Sequence, residues 1–142
     1  MVKHLSHKET PKVRIDKITV KRETDDNPDL SFLKQDYAEV KNEKERQKYL
    51  KQDEDRLVAY DRGDWYMIGI VAEAEVSYPI DAQGNRRIEW FKSGGLWGIE
   101  SDSDEKYIKE VEEEQSDDLK AHLEVFNVDT SDFKKKMQRH LT

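Results

Sequence analysis

The clearest pattern in the chain is an alternation of apolar and polar residues between Trp65 and Ile80. The apolar residues occupy the even-numbered positions: Tyr66, Ile68, Ile70, Ala72, Ala74, Val76, Tyr78 and Ile80. A period of two is typical of a β-strand with one buried face. The pattern therefore predicts a long strand whose even-numbered side chains form the core of the protein.

A hairpin and a glycine-rich segment follow this strand. Residues 81–85 read Asp-Ala-Gln-Gly-Asn and predict the turn, and residues 86–92 form the return strand. Three of the six glycines then lie within five residues: Gly94, Gly95 and Gly98. Glycine reaches positive φ and admits the close approach of another backbone. We therefore expect a bulge or bend at residues 93–95, and we interpret the three glycines as a structural joint.

Helical composition marks two further segments. Residues 40–60 are rich in Lys, Glu, Gln and Arg, with a thin apolar stripe. A second helix is predicted to begin near Ser101 or Asp102 and to end near Asn127, because its apolar residues recur on one face. The amphipathic segment 133–141 is expected either to dock as a last helix or to fray.

The order of these elements predicts an α+β fold. We expect a small, mainly antiparallel sheet built on the long hairpin, with one face covered by one or two helices. A first strand is predicted over residues 13–20; its apolar phase slips at residues 16–17, which indicates either a bulge there or a strand that begins only at residue 18. The chain of 142 residues is divided into a disordered basic lead (1–11), a single domain (12–127) and a C-terminal amphipathic tail (128–142).

Composition limits the chemistry of the protein. Hydrophobic residues make up 35% of the chain and charged residues 40%, so the core must be lean. Cysteine is absent, which excludes disulfides, thiolate nucleophiles and cysteine-ligated metals and fits a reducing cytoplasm. No segment approaches the ~20 apolar residues of a membrane-spanning helix. We therefore expect a cytoplasmic protein with no membrane association and no cofactor.

The net charge of −7 is unevenly distributed. Residues 100–118 hold ten acidic residues against two lysines, whereas residues 1–22 are basic. Two interpretations of the acidic run remain open. It is either a solvated helix face, or it imitates the phosphates of nucleic acid and binds a protein. The carboxylates assigned to such a contact are Glu110, Glu113, Glu114 and Asp117.

Two smaller sets of side chains carry other candidate chemistry. Three acids near the glycines offer oxygen ligands for Mg²⁺ or Ca²⁺, and the same acids serve as helix caps: Glu100, Asp102 and Asp104. Aromatic residues are expected to form a contact patch, because an alternating strand buries only one face: Trp65, Phe91 and Trp97. The four histidines are scattered and assemble no Ser-His-Asp constellation, so no catalytic residues are assigned.

Three segments of the chain carry distinctive motifs. Residues 59–70 read Ala-Tyr-Asp-Arg-Gly-Asp-Trp-Tyr-Met-Ile-Gly-Ile, residues 72–76 read Ala-Glu-Ala-Glu-Val, and residues 93–103 read Ser-Gly-Gly-Leu-Trp-Gly-Ile-Glu-Ser-Asp-Ser. Over about residues 55–126, the chain resembles a family of uncharacterised small proteins from bacteriophages and mobile elements. The resemblance implies no catalytic residues and no cofactor. It implies an accessory factor that works in the cytoplasm of a bacterial host.

The sequence thus predicts a non-enzymatic protein that binds a host or phage protein. The expected targets are the nucleic-acid or defence machinery of the host, as for anti-CRISPR proteins and DNA mimics. Direct nucleic-acid binding is not expected, because few Lys and Arg residues interleave with the aromatic residues. Two alternatives stay open, namely a metal-dependent enzyme that uses the acids at the strand–helix joint and a nucleic-acid-binding protein that uses the basic N-terminus.

Overall fold

The computed structural model describes residues 13–140, and this part of the chain has an α+β fold with a mainly antiparallel sheet, as predicted. The strands are β1 (Arg14–Thr24), β2 (Met67–Pro79), β3 (Arg86–Lys92), β4 (Leu96–Glu100) and β5 (Met137–His140). The α-helices are α1 (Glu43–Asp61) and α2 (Glu105–Val125), and short 3-10 helices lie at Ser31–Leu33 and Lys134–Lys136.

The strand β2 lies at the centre of the sheet. One edge pairs antiparallel with β1, and β5 adds parallel to the far side of β1. The other edge pairs antiparallel with β4 and then with β3, so β3 and β4 are two parts of one strand interrupted at residues 93–95. The predicted bulge at these residues is confirmed. Of the two alternatives for residues 16–17, the bulge is correct, since β1 begins at Arg14 and its register shifts between Ile15 and Lys17.

One face of the sheet packs against α2 and forms the core. The even-numbered side chains of β2 from Ile68 to Val76 are buried on this face, and Tyr78 packs against them, which confirms the predicted buried face for these positions. Tyr66 and Ile80 lie just outside the strand and are 41% and 62% exposed, so their assignment to the core is wrong. The apolar side of α2 and a segment after it complete the cluster. Its buried members are Ile15, Ile18, Val20, Ile68, Ile70, Ala72, Ala74, Val76, Ile99, Ile108, Val111, Leu119, Leu123, Val128 and Phe133.

The helix α1 has no buried residue and packs only at one end of the opposite face. A second, smaller cluster joins this helix to the sheet through Leu33, Trp65 and Met67. The Trp65 indole N–H donates to the carbonyl of Arg56 at 3.0 Å, which anchors the helix to the start of β2. The remainder of this face, called here the open face, is not covered by either α-helix.

The helix α2 begins at Glu105, so the predicted start at Ser101 or Asp102 is wrong. The chain first continues the sheet as β4, and Ser101 then bonds twice to the backbone of Tyr66. The Ser101 N–H donates to the Tyr66 carbonyl at 2.8 Å, and the Tyr66 N–H donates to the Ser101 hydroxyl at 2.9 Å. These contacts hold the segment in the sheet. The helix therefore begins only after Asp104. This residue is the N-cap, and its side chain accepts a hydrogen bond from the Lys106 N–H at 2.9 Å.

The C-terminal segment is part of the domain. Val128 and Phe133 are buried in the core, and residues 137–140 form β5 beside β1. Of the two outcomes expected for residues 133–141, neither an α-helix nor a frayed tail describes residues 133–140, which form a short 3-10 helix and then β5. The packing of Val128 and Phe133 in the core does not fit a domain boundary at residue 127. The end of α2 at Val125 is close to the predicted one, and Asn127 follows with a φ of 60°. The predicted disordered lead, residues 1–11, lies outside the described residues.

The assignment of the buried face predicts how three substitutions act. Ile70 and Val76 are fully buried, so Ile70→Asp or Val76→Asp places an unpaired carboxylate in the core and should abolish cooperative unfolding. Glu75 lies on the open face, and Glu75→Lys should change the free energy of unfolding by no more than ~0.5 kcal/mol. Thermal melts followed by circular dichroism test this. Similar melting temperatures for all three variants would contradict the assignment.

Candidate functional site

The acidic residues between positions 100 and 118 separate into two groups in the structure. Six of them bind groups of the protein itself: Glu100, Asp102, Asp104, Glu105, Glu112 and Asp118. The other four are exposed on α2 and have no ion pair or hydrogen bond within residues 13–140: Glu110, Glu113, Glu114 and Asp117. These four are the carboxylates that the sequence assigned to a contact surface, and we call them the acidic strip.

Arg56 of α1 binds two of the paired acids. Its Nη1 and Nη2 donate to the two carboxylate oxygens of Asp102 at 2.7 and 2.6 Å, and its Nε donates to Glu100 at 3.0 Å. The guanidinium also lies 3.9 Å from the ring centroid of Trp65. The hydrogen bond from Arg56 lowers the pKa of Asp102, although partial burial opposes this shift. This cluster ties α1 to the turn before α2.

The acids proposed as metal ligands are occupied by other partners. Glu100 and Asp102 face the Arg56 guanidinium, and Asp104 caps α2. The positive charge that balances Glu100 and Asp102 is therefore the Arg56 guanidinium of the protein itself. Within the described part of the chain, no group of three or more His, Asp or Glu side chains is placed to hold a metal ion.

Arg22 of β1 binds two further acids of α2. Its Nε donates to Glu112 at 3.0 Å and its Nη2 to Glu105 at 2.6 Å. Burial lowers the pKa of Arg22, but the hydrogen bonds to the two carboxylates outweigh that effect and the pKa is raised. Glu112 is only 1% exposed. A carboxylate buried to this degree needs such a cationic partner, so this pair holds α2 against β1.

The glycine segment bonds to α2 through its backbone. The Gly94 N–H donates to Asp118 at 2.9 Å, and the Gly95 N–H donates to Gln115 at 2.8 Å. Gly95 and Gly98 both have a φ of 80°, which confirms that the joint needs glycine at these two positions. Gly94 has no positive φ, and its contribution to the joint is the bond to Asp118.

The three aromatic residues predicted to form one contact patch lie in different places. Trp65 is 1% exposed and belongs to the second cluster, so its assignment to a contact surface is wrong. Phe91 is half-buried on the α2 side, with its ring centroid 5.9 Å from that of His122 and 5.5 Å from that of Phe126. Trp97 lies on the open face and is 46% exposed. The structure therefore does not bring these three residues together.

The open face presents two large apolar residues that the sequence prediction missed. Ile88 and Trp90 are 55% and 54% exposed, and alternation along β3 directs them away from Phe91. They pair in register with Ser77 and Glu75 of β2. The polar positions of β2 therefore provide the signal that identifies them, because cross-strand partners share a face.

Comparison with known proteins finds no family model, no curated protein and no solved structure that matches this chain significantly. The resemblance to bacteriophage and mobile-element proteins therefore stays a prediction. None of the helices within residues 13–140 is long and apolar enough to cross a membrane.

The geometry of the joint predicts that two neighbouring glycines respond differently to substitution. Gly95→Val places a β-branched residue at positive φ, with its Cβ about 3.1 Å from Val71, and should cost about 1–3 kcal/mol of unfolding free energy. Gly94→Ala meets no atom closer than 3.9 Å and should cost less than ~1 kcal/mol. Urea unfolding measures both. Equal losses would contradict the role given to Gly95.

The Arg56 cluster predicts a dependence of stability on pH. The pKa of Asp102 is lowered in the folded state, so its ion pair stabilises the fold above the unfolded pKa of ~3.9 and is lost as the pH falls through the folded value. Asp102→Asn should lower the free energy of unfolding by up to ~1 kcal/mol at pH 7 and by less at pH 3. Urea unfolding at both pH values tests this. The same loss at both would show that the ion pair is not the cause.

Proposed function

We propose that this protein is a non-enzymatic accessory protein that binds a basic surface of another protein through the acidic strip. The observation that carries the proposal is the separation of the acidic residues described above. Six acids of the run serve the fold, and the four of the strip face solvent without a partner among the described residues. Binding gives these four carboxylates a role that the fold does not.

The spacing of the strip supports a partner that ordinarily binds nucleic acid. Glu110 and Asp117 are two helical turns apart, so the four carboxylates span about 10 Å on one side of α2. This is one charge per about 3 Å, close to the ~3.4 Å per phosphate of a single DNA strand. Lys109 and Lys120 flank the strip. It is therefore short, and we expect it to replace a few phosphates rather than a whole duplex.

The energetics of the helix also favour a role in binding. Glu110 lies three and four residues before Glu113 and Glu114, and Glu113 lies four residues before Asp117. Like charges at these spacings destabilise a helix by a few tenths of a kcal/mol per pair. The strip thus opposes the stability of α2 slightly. The alternative is a solvated helix face without a function. It accounts for the exposure of these four carboxylates but predicts no binding partner.

The expected partner is a nucleic-acid-binding protein in the cytoplasm of a bacterial host. Such proteins carry the clustered Lys and Arg residues that a short row of carboxylates complements. The resemblance to bacteriophage and mobile-element proteins supports the same context. An accessory protein of this kind, like an anti-CRISPR protein or a DNA mimic, acts by occupying the site that nucleic acid would otherwise take.

A pair of charge-matched variants tests the proposal. The strip variant combines Glu110→Gln, Glu113→Gln, Glu114→Gln and Asp117→Asn. The control variant removes four exposed acids elsewhere, through Asp26→Asn, Glu39→Gln, Glu54→Gln and Asp61→Asn. Each protein is used as bait in a bacterial lysate, and captured proteins are identified by mass spectrometry and re-tested in purified form. Wild type and control should hold one stoichiometric protein that double-stranded DNA displaces, and the strip variant should bind it at least ~10-fold more weakly.

The outcomes separate the proposal from its alternatives. Equal loss of binding in both variants would mean that net charge alone matters, and unchanged binding in the strip variant would overturn the proposal. Nucleic acid in the eluate, without a protein partner, would instead favour the nucleic-acid-binding alternative. The strip variant should melt at the same or a higher temperature than wild type, because it removes like-charge repulsion. If the melting temperature of the strip variant is not lowered, its loss of binding is not caused by unfolding.

A further inference from the structure

The protein contains an arginine held between an aromatic ring and carboxylates. Arg56 lies 3.9 Å from the Trp65 ring centroid and donates to Glu100 and Asp102 at the same time. A planar guanidinium suits both partners, because its face stacks on the ring while its edge donates hydrogen bonds. The arrangement consists of an indole, a carboxylate and the cation that joins them.

A second occupied example lies at the hairpin. Arg87 is 4.9 Å from the Tyr78 ring centroid, and its Nη2 lies 3.2 Å from a carboxylate oxygen of Glu89. This site is more exposed than the first, with 60% of the Arg87 side chain accessible. In the hairpin example, the ring and the carboxylate belong to two paired strands, β2 and β3. In the Arg56 example, the carboxylates belong to the end of β4 and the turn that follows it. The arginine is supplied by this chain.

The open face holds the same combination without the arginine. Glu23 of β1 pairs in register with Gly69, and the indole of Trp97 lies directly against that glycine. Lys21, two residues before Glu23, binds Glu73 on this face, which places Glu23 on the same side. Within residues 13–140, Glu23 has no ion pair, no cation lies over Trp97, and the Trp97 indole N–H has no acceptor.

The structure holds the Trp97 ring in place before any ligand arrives. A Cβ built on Gly69 would lie 2.2 Å from Cε3 of the indole, so glycine at this central position of β2 is what lets the ring lie against the strand. Gly95 approaches the same ring, since a Cβ there would be 3.3 Å from Nε1. The other side of the ring remains accessible, and an aromatic surface positioned in this way loses little conformational entropy on binding.

We propose that Trp97 and Glu23 form a docking site for an arginine side chain of a partner protein. The guanidinium stacks on the exposed side of the indole and donates to the Glu23 carboxylate, as Arg56 does with Trp65 and Asp102. The net charge of −7 favours the approach of a cationic side chain. The site lies on the opposite side of the sheet from α2, so it is separate from the acidic strip and does not rest on the function proposed for the strip.

Trp90 gives an internal comparison on the same face. It is 54% exposed, and Lys92, two residues after it, binds Glu73 just as Lys21, two residues before Glu23, does, so these two lysines do not distinguish the sites. The difference lies across the strands: Glu75, which faces Trp90, pairs in register with Lys17, whereas Glu23 pairs in register with Gly69, which has no side chain. The Lys17 ammonium beside Glu75 repels an incoming guanidinium, and the corresponding position opposite Glu23 carries no cation. The proposal therefore assigns arginine binding to Trp97 and not to Trp90.

Nuclear magnetic resonance of the ¹⁵N-labelled full chain tests the site. The probe is N-acetyl-arginine-N-methylamide, and its neutral control is the citrulline analogue of similar shape. The indole N–H signals are assigned with Trp90→Phe and Trp97→Phe. We expect the arginine probe to shift the Trp97 signal saturably in the millimolar range, with the citrulline analogue binding at least ~5-fold more weakly and the Trp90 signal moving little.

Two single substitutions separate the local carboxylate from net charge. Glu23→Gln should weaken binding of the arginine probe by about 5-fold or more, whereas Glu113→Gln, the same change in charge on the acidic strip, should leave it unchanged. Intact dispersion of the remaining signals shows that each variant is folded. The proposal is overturned by the absence of a saturable Trp97 shift in wild type, by an equal response to both probes, or by equal effects of the two substitutions. These readouts do not involve the partner sought with the acidic strip, so either result stands without the other.

Discussion

The central strand β2 needs hydrogen-bond partners along both edges, because buried backbone groups left unpaired are costly. On one edge β1 supplies them over almost the whole length of the strand. On the other edge β3 and β4 share the task, with the bulge between them opposite Ala72. There the Ser93 hydroxyl accepts from the Ala72 N–H at 2.9 Å, and the Ser93 N–H donates to the Ala72 carbonyl at 2.8 Å. The interruption therefore leaves no gap at this residue.

The same bulge determines how the two faces of the sheet are used. On the core side, the side chains of Gln115 and Asp118 of α2 accept hydrogen bonds from the backbone N–H groups of the glycine segment. The helix is therefore attached to the interrupted strand as well as packed on the apolar face of the sheet. On the open side, the chain leaves the bulge with Trp97 against Gly69. The backbone requirement of β2 thus leads both to the position of α2 and to the exposed indole on the opposite face.

The ion pairs of two arginines join elements that are distant in sequence. Arg22 and Arg56 each bind two carboxylates of the acidic run, which neutralises part of its charge and fastens β1 and α1 to the segments around α2. The acidic strip is the part of the run that this internal pairing does not use. The proposal that the strip binds a partner therefore rests on the fold and not on the composition of the run alone.

The sequence by itself determined the buried face of β2, the hairpin, the positions of the interruptions at residues 16–17 and 93–95 and the approximate extent of the helices, because periodicity, turn residues and glycine act over a few positions. Only the tertiary structure decided which acids are free, since Arg56 lies 44 residues from Glu100 and Arg22 lies 90 residues from Glu112. It also decided that Trp65 is buried and that residues 137–140 form a strand. Those outcomes depend on which element lies opposite each segment, and no local pattern encodes that choice.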